Sequence, residues 1–385
     1  MRFLSILAVA TIFTGLSASA DEPLSLNPTP QDKLFNQEAA TVCIDPVKAP
    51  GCKGLCTITR LNYDEIKHVN GRDANPARGF AKPEYYDLTG LRKQKIKILK
   101  TPPYTVTEVS KIPANQLITW DDVEREDTKK AGESAQELIT YEVGDPDNKN
   151  CKFATIWVHG ATPPRGGLGV TDNLFGGAFN RMMRTAQFNN GIYYSPSIDE
   201  FSDPANLKAL ISRIRTKTCP NGKIIMNCGS AGGSTCGQAL TNQDIVKEIA
   251  GVVMIGTGYT DREYEKSEAY KRRIPLIIAQ GSREDVEGGP RKFVERVHKN
   301  DPSYPIRYII VGKQAPPYGP GRKHLNFEDI PLRDREQIGG HMSPLRMIDW
   351  KATLSCMLNQ APGPKLEGRA NSLDAPAAIS ERKEN

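Results

Sequence analysis

The sequence is poor in several things, and each shortage removes a class of function. Past the N-terminus no apolar run approaches the roughly 20 residues a membrane-spanning helix needs, so no membrane span is expected. There are five histidines, which leaves few candidates for a general base or a metal ligand. Cys43, Cys52 and Cys56 lie close together, but the nearest histidine is His68 and the spacing matches no common zinc pattern. Neither a metal nor a cofactor is expected. Charge of one sign is also scarce: the formal net charge is +6 in 385 residues, with Lys and Arg interleaved among Asp and Glu, which argues against a nucleic-acid binder. One local exception is Arg92, Lys93, Lys95, Lys97 and Lys100, alternating with Ile96 and Ile98. That alternation reads as the solvent face of an amphipathic strand, with a patch for an anionic polymer as the alternative. Internal repeats are lacking as well.

What is present begins with a segment of secretory type. Arg2 supplies a positive charge, Phe3 to Phe13 an apolar stretch, and Ala18-Ser19-Ala20 a small-residue cleavage site. The expectation is export, to the periplasm or the medium. The eight cysteines agree with an oxidising compartment and with disulfides. A local bridge is expected among Cys43, Cys52 and Cys56, whereas pairing in general is not legible. The chain divides by composition into a signal peptide at 1–20, a β-rich N-terminal extension at 21–145, a main domain at 146–360 and a disordered tail at 361–385. The extension holds alternating runs at Tyr104–Val109, Leu117–Trp120 and Leu138–Val143.

The stretch that organises the rest is Lys223 to Ser234, KIIMNCGSAGGS. A short apolar run ends in small residues, and Gln238 to Ile249 then has helical character. Strand, tight turn and helix is the setting in which a serine hydroxyl projects clear of a sheet toward free helix N–H groups. Ser230 is therefore the candidate nucleophile, with Ser234 a weaker one. The bland reading is a strand-to-helix turn without chemistry.

From Cys151 onward apolar strands alternate with helical spacers, which marks an α/β sheet. Strands are expected at Phe153–Val158, Ile192–Ser195, Gly251–Ile255, Pro275–Ala279 and Ile306–Val311. Leu207, Leu210, Ile211 and Ile214 recur at helical spacing. The first of these strands runs into His159-Gly160-Ala161. After Pro275–Ala279 come Glu284 and Asp285. After the last strand come His324 and Gly339-Gly340-His341, and Ser343-Pro344 is a good start for a closing helix.

This order of parts resembles the α/β-hydrolase fold, in particular its serine esterases and lipases: a mostly parallel central sheet flanked by helices. The HG pair follows one strand, the serine turn comes two strands later, an acid follows a late strand, and a histidine follows the last. Cys228 departs from the family pattern, standing where G-x-S-x-G has its first glycine. The resemblance implies Ser230 as nucleophile, His341 as base and Asp285 as acid, with Glu284 and His324 as alternatives. It also implies an oxyanion hole from the N–H groups of Ala161 and Ala231, and a structural role for His159. The function implied is hydrolysis of an ester, small or polymeric, through an acyl-serine. The alternatives are a peptidase or thioesterase on the same fold, and a non-catalytic envelope binding protein.

Overall fold

The computed structural model describes residues 40–48, 52, 55–62, 95–100, 105–111, 139–145, 150–160, 169–170, 178–198, 201–282, 284, 289–311, 344–345 and 348–359. The signal-like segment, the run at Leu117–Trp120 and the C-terminal tail lie outside these residues.

Phe153–Val158 (β6) is six residues long and wholly buried, and its side chains divide between two cores. Ala154, Ile156 and Val158 belong to one cluster, while Phe153 and Trp157 belong to the other. A strand alternates its side chains between faces, so a run buried at every position must be covered on both sides. Gly191–Pro196 (β7) and Ile306–Val311 (β11) are buried throughout in the same way. Lys223–Gly229 (β8), Ile249–Ile255 (β9) and Leu276–Gly281 (β10) complete the interior of the sheet.

Five earlier strands join the same sheet at its two edges: Ala40–Pro46 (β1), Cys56–Asn62 (β2), Lys95–Lys100 (β3), Thr105–Lys111 (β4) and Ile139–Val143 (β5). Among the described residues the order is β1-β2-β11-β10-β9-β8-β6-β7-β5-β3-β4. The strands from β2 to β7 in that order run parallel, and β1, β5, β3 and β4 each pair antiparallel with a neighbour.

Helices cover both faces. Ala178–Phe188 (α1) and Trp350–Leu358 (α7) pack on the face of Trp157. The opposite face carries Ala205–Arg213 (α2), Gly232–Thr241 (α3), Gln243–Val246 (α4), Glu268–Lys271 (α5) and Pro290–Asn300 (α6). Leu207, Leu210 and Ile211 are the buried stripe of α2, as their spacing predicts. The helical segment after the serine differs from expectation. It starts at Gly232, inside the glycine run, and breaks at Asn242, whose side chain caps α4 by accepting from the N–H groups of Asp244 and Ile245.

Cys52 pairs with Cys356, Cys151 with Cys219 and Cys228 with Cys236. Cys56 is disulfide-bonded as well. Cys52 thus reaches a partner 304 residues away on α7. With Val47 and Cys356 it forms a small separate core that fastens the β1–β2 edge to the last helix.

Candidate active site

Two crossings in opposite directions create the crevice. From β6 the chain passes over α1 to β7 on one side, whereas from β8 it passes over α3 to β9 on the other. Adjacent parallel strands whose connections diverge leave a cleft outside their carboxyl ends, where ligands of α/β sheets bind. The two loops bordering that cleft are His159-Gly160, after β6, and Ser230-Ala231, after β8.

Ser230 has φ +50°, the left-handed region that costs an L-residue about 1–2 kcal/mol. The surroundings hold it there. Its N–H donates to the Ile255 carbonyl at 2.8 Å, its carbonyl accepts from the Gly233 N–H at 2.9 Å, and the Ser234 N–H donates to the Ala231 carbonyl at 3.0 Å. A non-glycine residue kept in a sparsely populated conformation points to a site where the side chain must project from a sharp turn. Ser230 is part-exposed while Gly229 before it is buried, and its hydroxyl has no partner among the described residues. Ser234 lies on the exposed side of the first turn of α3.

The turn closes only because small residues stand there. A Cβ on Gly232 would lie 2.5 Å from the His159 carbonyl oxygen, and one on Gly160 would lie 3.1 Å from the Ser230 Cβ. Both loops of the crevice therefore touch. Below them, Asn227 ties β8 to β6 by donating to the Thr155 hydroxyl at 2.7 Å and the Ile156 carbonyl at 3.1 Å.

His159 is buried, and both of its ring nitrogens are engaged. The Ile198 N–H donates to Nε2 at 2.8 Å, which places the proton on Nδ1, where it is donated to the Gly160 carbonyl at 2.6 Å. A neutral imidazole committed on both sides shapes the loop and takes no proton from the serine. Farther along, the Tyr193 hydroxyl donates to the Gly169 carbonyl at 2.6 Å, which ties Gly169 to β7.

The Ala231 N–H makes no hydrogen bond among the described residues, and it opens the N-terminus of the ten-residue α3. An unoccupied N–H beside a serine hydroxyl at a helix N-terminus can receive developing negative charge. Tyr259 packs against α3 near Gly237, and burial pushes its phenol far above the ordinary range, so it stays neutral.

Glu284 follows β10 in a tight turn, its N–H donating to the Gly281 carbonyl at 2.9 Å. Because β10 is parallel to β9 and β9 to β8, that turn emerges at the same end of the sheet as Ser230. Ala161, Asp285, His324 and His341 lie outside the described residues. Two supports of the turn carry no local sequence signal, since each acts across the sheet. Ile255 accepts from the Ser230 N–H, and Thr257 packs under Gly233; sequence reasoning missed both. Among the described residues no group of His, Cys, Asp and Glu could hold a metal ion, and no helix is long and apolar enough to cross a membrane.

No family model matches the chain, and no curated protein matches its sequence. Solved structures do. It is similar to a thermostable esterase, at 15% identity and TM-score 0.41, covering 60% of this chain and 60% of that one. It is also similar to an esterase of Pyrococcus furiosus, at 15% identity and TM-score 0.36, covering 58% of this chain and 86% of that one. A third likeness is to a prolyl endopeptidase, at 12% identity and TM-score 0.33, covering 73% of this chain and 39% of that one. The strand order and the serine turn, rather than these likenesses, make the fold that of the α/β-hydrolases.

Proposed function

We propose that this chain is an exported serine hydrolase that cleaves an ester bond through an acyl-serine intermediate. The observation that carries the proposal is Ser230 at φ +50°, on a strand-to-helix turn, beside an Ala231 N–H that makes no hydrogen bond among the described residues. Ser230 attacks the ester carbonyl carbon while His341 takes its proton. The carbonyl oxygen becomes an oxyanion, received by the N–H groups of Ala231 and Ala161. Collapse expels the alcohol, which takes the proton back from His341. Water then repeats the sequence on the acyl-serine and releases the acid. Asp285 orients His341 and stabilises the imidazolium that forms at each step.

The roles of Asp285 and His341 rest on chain order, Asp285 coming after β10 and His341 after β11. Their roles are tested by ranking. His341→Ala should cost several orders of magnitude in turnover and His324→Ala far less. Asp285→Asn should be severe and Glu284→Gln mild; the reverse ranking moves the role to the neighbour. The primary experiment is a fluorophosphonate probe on the purified protein. A phosphonyl adduct on Ser230, lost in Ser230→Ala with folding intact, supports the reading, and an unlabelled serine refutes it. Export is supported by the bridges Cys52–Cys356, Cys151–Cys219 and Cys228–Cys236, which persist in an oxidising compartment.

A further inference from the structure

Cys228 is the residue by which the serine turn departs from the family pattern, and nothing in the proposed chemistry uses it. Its partner is Cys236, eight residues on. Cys228 is the last residue but one of β8, Cys236 lies in the second turn of α3, and both are fully buried in one apolar core. The chain enclosed by the bridge is Gly229 to Thr235. That ring contains the nucleophile, the Ala231 N–H and both glycines that let α3 approach β6 and Thr257.

The two ends of the ring are not equally free to move. Cys228 is clamped in the sheet, opposite Val158 of β6 and Met254 of β9. Cys236 is carried by a helix that begins only four residues earlier, at Gly232. Without the covalent link, the left-handed Ser230 depends on the few backbone hydrogen bonds of the turn. Two buried thiols also need more room than one bridge, because each sulfur regains a hydrogen and its full contact radius. The strand is pinned between neighbours, so the helix must yield, and with it the Ala231 N–H.

We propose that the Cys228–Cys236 disulfide is a covalent brace on the serine turn, and that Cys228 and Cys236 are positioning residues for the reaction of Ser230. The inference rests on the hydrolase reading of Ser230. It also accounts for cysteine at the place of the usual glycine: the sulfur fills that space and secures the turn from below. Reduction by a small dithiol would return two protons and two electrons to Cys228 and Cys236, the dithiol closing to its cyclic disulfide, and the turn would relax.

The test uses the full chain and a fluorophosphonate probe. Rate constants for labelling of Ser230 are measured against probe concentration in the wild type, in Cys228→Ala/Cys236→Ala and in Cys151→Ala/Cys219→Ala. The brace predicts a fall of about 10- to 100-fold in the limiting rate constant of the first variant, the scale expected for a reacting atom displaced by ~1 Å. The half-saturating probe concentration should hardly change, and the control variant should label like the wild type. Equal limiting rates in the first variant and the wild type overturn the brace while leaving the hydrolase reading intact. A wild type that does not label at Ser230 overturns both. If the first variant does not fold, graded dithiothreitol treatment of folded wild type decides, with rapid thiol trapping to count reduced Cys228 and Cys236. Labelling that falls with their reduction and returns on reoxidation supports the brace, and labelling that ignores it overturns it.

Discussion

Replacing Gly232, Gly233 and Gly237 one at a time by alanine adds the same methyl at three places along α3, and the structure assigns each a different outcome. Helix propensity favours alanine by about 1 kcal/mol at an interior position. At Gly237 the new Cβ meets Tyr259 Cε2 at 3.4 Å, an ordinary contact, so Gly237→Ala should stabilise by about 0.5–1 kcal/mol. At Gly233 it would lie 2.6 Å from the Thr257 Cβ, and overpacking of this kind costs about 1–3 kcal/mol. At Gly232 it would lie 2.5 Å from the His159 carbonyl oxygen and 2.6 Å from that of Val158. Those are backbone atoms of β6 and its exit loop, and no rotamer can move them aside. Gly232→Ala should therefore be the most destabilising of the three. Because the yielding parts are the serine turn and the HG loop, it should also slow Ser230 labelling in whatever fraction stays folded. Urea denaturation under non-reducing conditions gives the stabilities, and probe labelling gives the reactivity. A Gly232→Ala protein as stable and as reactive as Gly237→Ala would refute the close seating of α3 on β6, and with it the geometry argued for the site.

Removing Cys52–Cys356 by paired serine substitution should cost more stability than removing Cys151–Cys219. The sequence separations are 304 and 68 residues, worth about 6 and about 4 kcal/mol on the chain-entropy scale; urea midpoints of the two variants check the order. Arg307 is buried in β11, and its guanidinium pKa is pushed down to about 10 by burial, with Asp349 opposing. A cation whose pKa falls on folding is a burden at neutral pH that lifts as pH rises above about 10. Arg307→Met should therefore be neutral or stabilising at pH 7. Asp349 also caps α7 by accepting from the Ala352 N–H, so Asp349→Ala should cost more than the ~1 kcal/mol of a cap. The excess should vanish in the Arg307→Met background, as a double-mutant cycle of unfolding free energies can show.

Much of the interior sheet is legible in the amino-acid sequence. β6 and β11 fall on the residues expected of them because each is a short run, apolar at nearly every position, and such a run has few options besides a strand covered on both faces. The α2 stripe is legible for the same reason, since its period is local. α3 begins earlier in the chain than its composition suggests. Gly232 and Gly233 are poor helix formers, yet they form its first turn because only a glycine fits against the His159 carbonyl and the Thr257 side chain.

By itself, then, the sequence determined the alternation of strand and helix, the strand-turn-helix setting of Ser230 and the chain order of the candidate catalytic residues. All of these depend on neighbours within a few positions. The tertiary structure decided which edge β1 and β2 take, where Cys52 finds its partner, how His159 spends both nitrogens, and that Ser230 is held at φ +50°. Each of those is settled by a group brought close only when the chain closes on itself: Tyr308 against Ile58, Cys356 against Cys52, Ile198 against His159, Ile255 against Ser230. No local pattern encodes such a contact, because its free energy appears only once the intervening chain has been ordered.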